Sequence, residues 1–190
     1  MNTELDNSWI QTYTGKAFFP LSPEIKDIDI IDIAWALSMQ CRYAGHCKRF
    51  YSVAEHSVLI SRAVPTGDRL IGLLHDASEA YLVDIPRPIK WAMGGYAGYE
   101  ATLMNAIAIR FGLRDVTTEA VKDADARILH NERAALMPGG DRDWTIPGEP
   151  LPNIKVIGRS PRGAFELFMA EFRYLTGEGD RAALLSDRAQ

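Results

Sequence analysis

From position 29 to 137, apolar side chains return every three or four residues, the repeat of helices that turn one face inward. The stretch 29–41, DIIDIAWALSMQC, opens at an aspartate suited to capping and sets Ile30, Ile33, Ala34 and Leu37 along one face. The same repeat predicts helices at about 51–63, 68–81, 97–111, 118–137 and 161–176. Near the start, WIQTYTGKAFFP (about 9–20) alternates loosely and is cut at Thr14-Gly15, which predicts a short hairpin. Residues 138–160 are rich in Pro and Gly and predict a long loop, with one short strand near IKVI. The small polar tail after Thr176 is expected to fray. Many medium helices and few strands predict an all-α helical bundle with a small N-terminal hairpin, its core running from about 29 to 176.

Composition narrows the function classes. With 190 residues and 47% hydrophobic content, the chain is long enough for one well-buried core and too short for two full-sized domains, so a single domain over 1–190 is expected. The net charge of −4 argues against a protein that coats a nucleic-acid polymer, which needs a basic face. The start, MNTELDNSWIQ, lacks a basic-then-apolar run, and no apolar stretch approaches the roughly 20 residues that span a bilayer. A soluble cytoplasmic protein without membrane partners is expected. Cys41 and Cys47 are spaced as neither a zinc knuckle nor a redox C-x-x-C, and reduced thiols are expected.

Chemistry concentrates in LIGLLHDASEAYLVDIPRPIK, Leu70 to Lys90, where charged residues interrupt an otherwise apolar run. A carboxylate buried there needs a cation or a metal ion as partner. His75 and Asp76 diverge by about 100° on a helix and can lean toward one point between them. Glu79, four residues after His75, lies over the same patch. In 51–63, His56 falls on the apolar stripe of Val53, Leu59, Ile60 and Ala63, as either a core histidine bonded to a carbonyl or a ligand. In 118–137 the stripe is Val121, Ala124, Ile128, Leu129, Ala135 and Leu136, and Asp125 falls on it while Asp123 points away. Asp125 is then either half of a buried ion pair with an arginine or a ligand. Two imidazoles and two carboxylates suit Zn, Mn, Fe or Co.

The segments VAEHS, LLHDASEAYLVDIPRPIK and DADA, in that order, resemble the H…HD…D ligand set of the HD-domain metal-dependent phosphohydrolases. The branch that the chain resembles holds the bacterial 5'-deoxynucleotidases and the phage dATP triphosphohydrolases. The resemblance spans roughly 29–137 and the final helix. It implies an all-α HD-domain fold, one divalent ion, and hydrolysis of a nucleoside phosphate ester in the cytoplasm, or in host cytoplasm for a phage-encoded chain. It also implies a homo-oligomer, an expectation joined by Trp144, Ile146 and Leu151, apolar groups in the 138–160 loop. The ligands implied are His56, His75, Asp76 and Asp125. Glu79 matches a position that handles protons and Asp84 an acidic position near the phosphate, although Glu79 as a partner orienting His75 stays open. Arg42 and Tyr43 match substrate contacts. Lys90 and, more weakly, Arg87 and Lys48 offer phosphate-binding charge. His46 either lines the nucleoside pocket or bonds its own loop.

Three functional readings follow, the first being 5'-deoxynucleotidase activity on a deoxynucleoside monophosphate. The second, with the same ligands, is release of triphosphate from a deoxynucleoside triphosphate such as dATP. The third is a regulatory HD module without catalysis. Two-metal HD chemistry needs further histidines, and only His46 and His130 remain.

Overall fold

The structure, a computed structural model, describes residues 8–178. The expectations for the extreme N-terminus and for the fraying tail fall mostly on residues 1–7 and 179–190, outside the described residues. As the periodicity predicts, the described chain is all-α apart from one hairpin, in which β1 (Ile10–Gln11) pairs antiparallel with β2 (Ala17–Phe18). The buried carboxylate of Asp32 anchors the hairpin turn, accepting from the Thr14 amide at 2.6 Å and the Thr14 hydroxyl at 2.9 Å. The helices are α1 (Ile30–Met39), α2 (Val53–Ala63), α3 (Arg69–Leu74), α4 (Glu79–Leu82), α5 (Arg87–Ala92), α6 (Tyr96–Phe111), α7 (Glu119–Leu136) and α8 (Pro161–Thr176). Asp29, Ser52, Thr118 and Ser160 cap α1, α2, α7 and α8 by accepting first-turn N–H groups, each cap worth about 1 kcal/mol. No described helix is long and apolar enough to cross a membrane.

α2 is the central element, packed against α1, α3, α7 and α8. Its sequence predicts one buried stripe. Surrounded as it is, α2 instead buries Val53 to Val58 without a break, charged Glu55 and His56 included, while Leu59 is half-buried and Ala63 exposed. α3 lies very close against it at Gly72, where a Cβ would meet the Ser61 backbone at 3.2–3.3 Å.

Three expectations are corrected. The helix predicted over 68–81 is two pieces, α3 and α4, joined by a tighter turn with bonds from Ala77 N to Leu74 O and from Glu79 N to Asp76 O. The reason lies in His75, whose Nδ1 sits 2.8 Å from the Gly72 carbonyl, the acceptor that an unbroken helix would give to the Asp76 amide. The segment near IKVI pairs with no strand. Its continuation docks on a side chain, the buried Glu55 carboxylate accepting from the amides of Ile157, Gly158 and Arg159 at 2.9, 3.1 and 2.6 Å. Gly158 is required there, since a Cβ would come within 2.6 Å of the Phe50 carbonyl. Finally, α5 was not expected, because two prolines obscure it. Pro88 lies in its first turn, where a missing N–H disturbs no helical bond.

Candidate metal centre

His56 from the middle of α2, His75 and Asp76 from the end of α3, and Asp125 from α7 converge. One ligand atom each of His56, His75 and Asp125 lies within 4.8 Å of the others, a group able to hold a metal ion. Asp125 Oδ1 is 3.2 Å from His56 Nε2 and 3.9 Å from His75 Nε2. Asp76 Oδ2 joins them at 3.2 Å from His75 Nε2 and 3.6 Å from His56 Nε2. Asp123 points outward and pairs with Arg127 at 3.0 Å, as the stripe predicts.

The two imidazoles are held from behind. His75 is fixed through Nδ1 by the Gly72 carbonyl and His56 through Nδ1 by Glu132 at 2.7 Å. Each ring then offers Nε2 to the same space, and neither Nε2, although buried, completes a hydrogen bond. Two such nitrogens beside two carboxylates are a donor set that fits a divalent first-row ion and leaves two buried groups unsatisfied without one. Burial disfavours charge on His75, but Asp76 and Asp125 outweigh it and hold the imidazole well above its ordinary range. Burial likewise raises Asp76, yet His75 and His56 pull it down to about 2. Asp125 is held far below the carboxylate range by the same two rings, against its burial.

Glu132 is the residue that sequence reasoning missed. It is wholly buried, and besides His56 it accepts from the Tyr51 hydroxyl at 2.8 Å and from the Tyr43 hydroxyl, with Arg42 Nε 3.5 Å away. Burial pushes its carboxyl up, and Arg42, His56 and Tyr43 more than offset this, to about 2. A signal was present. The buried positions of α7 are Val121, Ala124, Ile128, Glu132 and Leu136, so Glu132 continues the inward spacing better than Leu129 or Ala135, both only half-buried.

Glu79 begins α4 and is buried, with Oε2 free of any hydrogen-bond partner. Burial first, then the charges of Asp76 and Asp84, push it up to about 9. Because His75 Nδ1 is taken by the Gly72 carbonyl, Glu79 is not the group that orients that ring. Asp84 is half-buried and raised, chiefly by burial. Gln40, unnoticed in the sequence, links the two: its amide donates to the Glu79 carbonyl at 2.9 Å and its carbonyl accepts from the Asp84 amide at 2.9 Å.

Arg42 enters the centre itself, its Nη1 3.5 Å from Asp76 Oδ2 and its side chain only 11% exposed. Tyr43 spends its hydroxyl on Glu132, and its ring packs beside the Arg42 guanidinium and Trp144. Lys90 pairs with Glu100 and lies over the Tyr96 ring, close enough to draw on the charge of Asp84. Arg87, Lys48 and His46 are exposed, and Cys41 and Cys47 are free thiols. The 138–160 loop wraps its own chain. Asn131 clamps Leu151 through N–H and C=O, His130 meets the Gly148 carbonyl at 2.9 Å, and Trp144 lies 5.6 Å from the Tyr43 ring. Leu151 is buried within the chain, and Trp144 and Ile146 are half-buried, so these residues offer no argument for an oligomer.

Fold and site together define a helical protein with a His–Asp group able to hold a metal ion. No protein-family model matches the chain. It is 39% identical over 171 residues to YfdR of Escherichia coli strain K12, an alignment covering 89% of this chain and 96% of YfdR, and it belongs to the YfdR family. It is also 38% identical over 130 residues to the protein RCAP_rcc00048 of Rhodobacter capsulatus, covering 63% of this chain and 66% of that one. Both relatives are described as uncharacterized.

Proposed function

We propose that the protein is a divalent-metal-dependent phosphohydrolase of the HD-domain type that acts on deoxynucleotides and cleaves the 5'-phosphate ester at the α-phosphorus. The observation that carries this reading is the meeting of His56, His75, Asp76 and Asp125 beside a carboxyl, Glu79, that burial and its neighbours keep protonated at neutral pH. A divalent ion bound by the four would offset phosphate charge and acidify a water beside it. The chain's own residues supply the rest. Glu79 holds a proton on a carboxyl whose Oε2 is unpartnered and can give it to the departing 5'-oxygen. Arg42, already among the carboxylates, brings positive charge to the phosphate, and the Tyr43 ring is offered to the nucleoside. The deoxynucleotide class rests on the sequence resemblance.

The test is product chromatography after incubating the metal-loaded protein with dAMP and, separately, dATP. Deoxyadenosine is expected from whichever is accepted, with phosphate in the first case and triphosphate in the second. Release of γ-phosphate with dADP left behind overturns the α-phosphorus assignment. Metal binding with no turnover of any deoxynucleotide overturns the enzyme reading in favour of a regulatory module.

A further inference from the structure

The most enclosed charge at the centre belongs to a residue that does not face it. Glu132 is 0% exposed, and it accepts from the Tyr51 hydroxyl at 2.8 Å and the Tyr43 hydroxyl, with the cationic Arg42 at 3.5 Å keeping it ionised and His56 Nδ1 at 2.7 Å. An ionised carboxylate can only accept, so the hydrogen shared with His56 sits on Nδ1, and the Nε2 lone pair is left for the centre. Free neutral imidazole divides between two tautomers, and only this one presents Nε2. The carboxylate is itself fixed in place. Tyr51 arrives from the strand-like approach to α2, where Cys41 bridges to Ser52, and Arg42 and Tyr43 come from the turn that follows α1. Arg42 also reaches forward to Asp76 at 3.5 Å, so one guanidinium ties the support behind His56 to a carboxylate in front of it.

We propose that Glu132 is the positioning residue of the metal centre: it holds His56 as the Nδ1–H tautomer so that Nε2 alone serves the ion, and Arg42, Tyr43 and Tyr51 hold Glu132 in turn. The inference rests on the metal-centre reading and is independent of which phosphate ester is cleaved. It also gives Arg42 and the Tyr43 hydroxyl a task other than the substrate contact that resemblance implies.

Zinc affinity, measured by competition against a chromophoric chelator, tests this in wild type, Glu132→Gln and Glu171→Gln. Glutamine keeps the shape and one acceptor but loses the charge and turns an NH₂ toward donors, so a loss of roughly 10–100-fold in affinity is expected. Glu171 is an equally buried carboxylate, but it pairs with Arg62 and Arg69 rather than with the centre. Glu171→Gln should therefore melt lower and keep wild-type zinc affinity, a separation that a merely structural role for Glu132 would not produce. Should Glu132→Gln fail to fold, ¹⁵N NMR of the zinc-loaded wild type decides: His56 is expected to carry its proton on Nδ1. Wild-type affinity in a folded Glu132→Gln protein, or zinc on Nδ1 of His56, overturns the proposal. A wild type that binds no zinc or other divalent ion overturns the metal-centre reading itself, a distinct result.

Discussion

Glu79 sits where a carboxylate is least supported. Its neighbours Asp76 and Asp84 are both acidic, its Oε2 has no partner, and burial adds to their effect, lifting the group to about 9. At neutral pH it is a protonated acid, one turn from the ligand pair yet outside the ligand cluster. Glu79→Gln removes the proton and keeps the volume. The variant should retain its metal by elemental analysis and lose turnover of dAMP by about 10²-fold or more, the usual weight of a general acid. Loss of the ion along with the side chain would make Glu79 a support for the ligands instead. At this scale the sequence was legible where chemistry coincided with apolar spacing. Asp125 was distinguished from Asp123 by its stripe, and His56 by its apolar neighbours. Glu132 escaped because the spacing was used to sort apolar residues, and a glutamate in HNERAAL reads as solvated until a histidine, two tyrosines and an arginine from elsewhere in the chain are seen around it.

At the level of elements, the short α4 turn carries Glu79, the proposed proton donor, and is held by few bonds. Val83, β-branched, adopts φ 70° where it closes α4, a conformation that costs about 1–3 kcal/mol and persists only if the surroundings impose it. They do so through Val83 N to the Glu79 carbonyl at 2.9 Å, Tyr96 OH to the Val83 carbonyl at 3.3 Å, and the two-point Gln40 clamp. Gln40→Ala leaves the Asp84 amide without its partner, while the Glu79 carbonyl keeps only the Val83 amide, a loss of about 1–3 kcal/mol. Thermal unfolding should register it, and turnover should fall while metal content stays near wild type, because Gln40 grips Glu79 and Asp84 and none of the four ligands. Unchanged turnover would show that the turn keeps its shape without the clamp. The break between α3 and α4 was invisible in the sequence for a physical reason: apolar periodicity continues through it, and only the bond from His75 to the Gly72 carbonyl reveals that the ladder is interrupted. The missing strand near IKVI has a similar origin, since β-branched residues mark an extended chain but not whether a neighbouring strand or the Glu55 carboxylate takes up its amides.

Across the whole molecule, the all-α architecture and the hairpin were readable from periodicity, while the course of the 138–160 loop was not, because its contacts with Asn131, His130 and Arg127 are made by polar side chains at long range. The centre depends on that large-scale arrangement. Its candidate ligands come from α2, the end of α3 and α7, three segments that meet only when the bundle is assembled around α2. An ion that binds all four ligands therefore binds the folded chain and not the unfolded one, and it stabilises by mass action, about 2.7 kcal/mol at a free metal concentration of 100 times Kd. For a chain of 190 residues that corresponds to a rise in Tm of roughly 5–10 °C. Differential scanning calorimetry of protein stripped with chelator, before and after a divalent ion is restored, should show this rise. His75→Ala should melt at much the same temperature with or without the ion, since His75 supplies one of the two unsatisfied nitrogens at the centre. A wild type whose Tm ignores the metal, or a His75→Ala protein that responds as wild type does, would mean that the ion is not held between these helices.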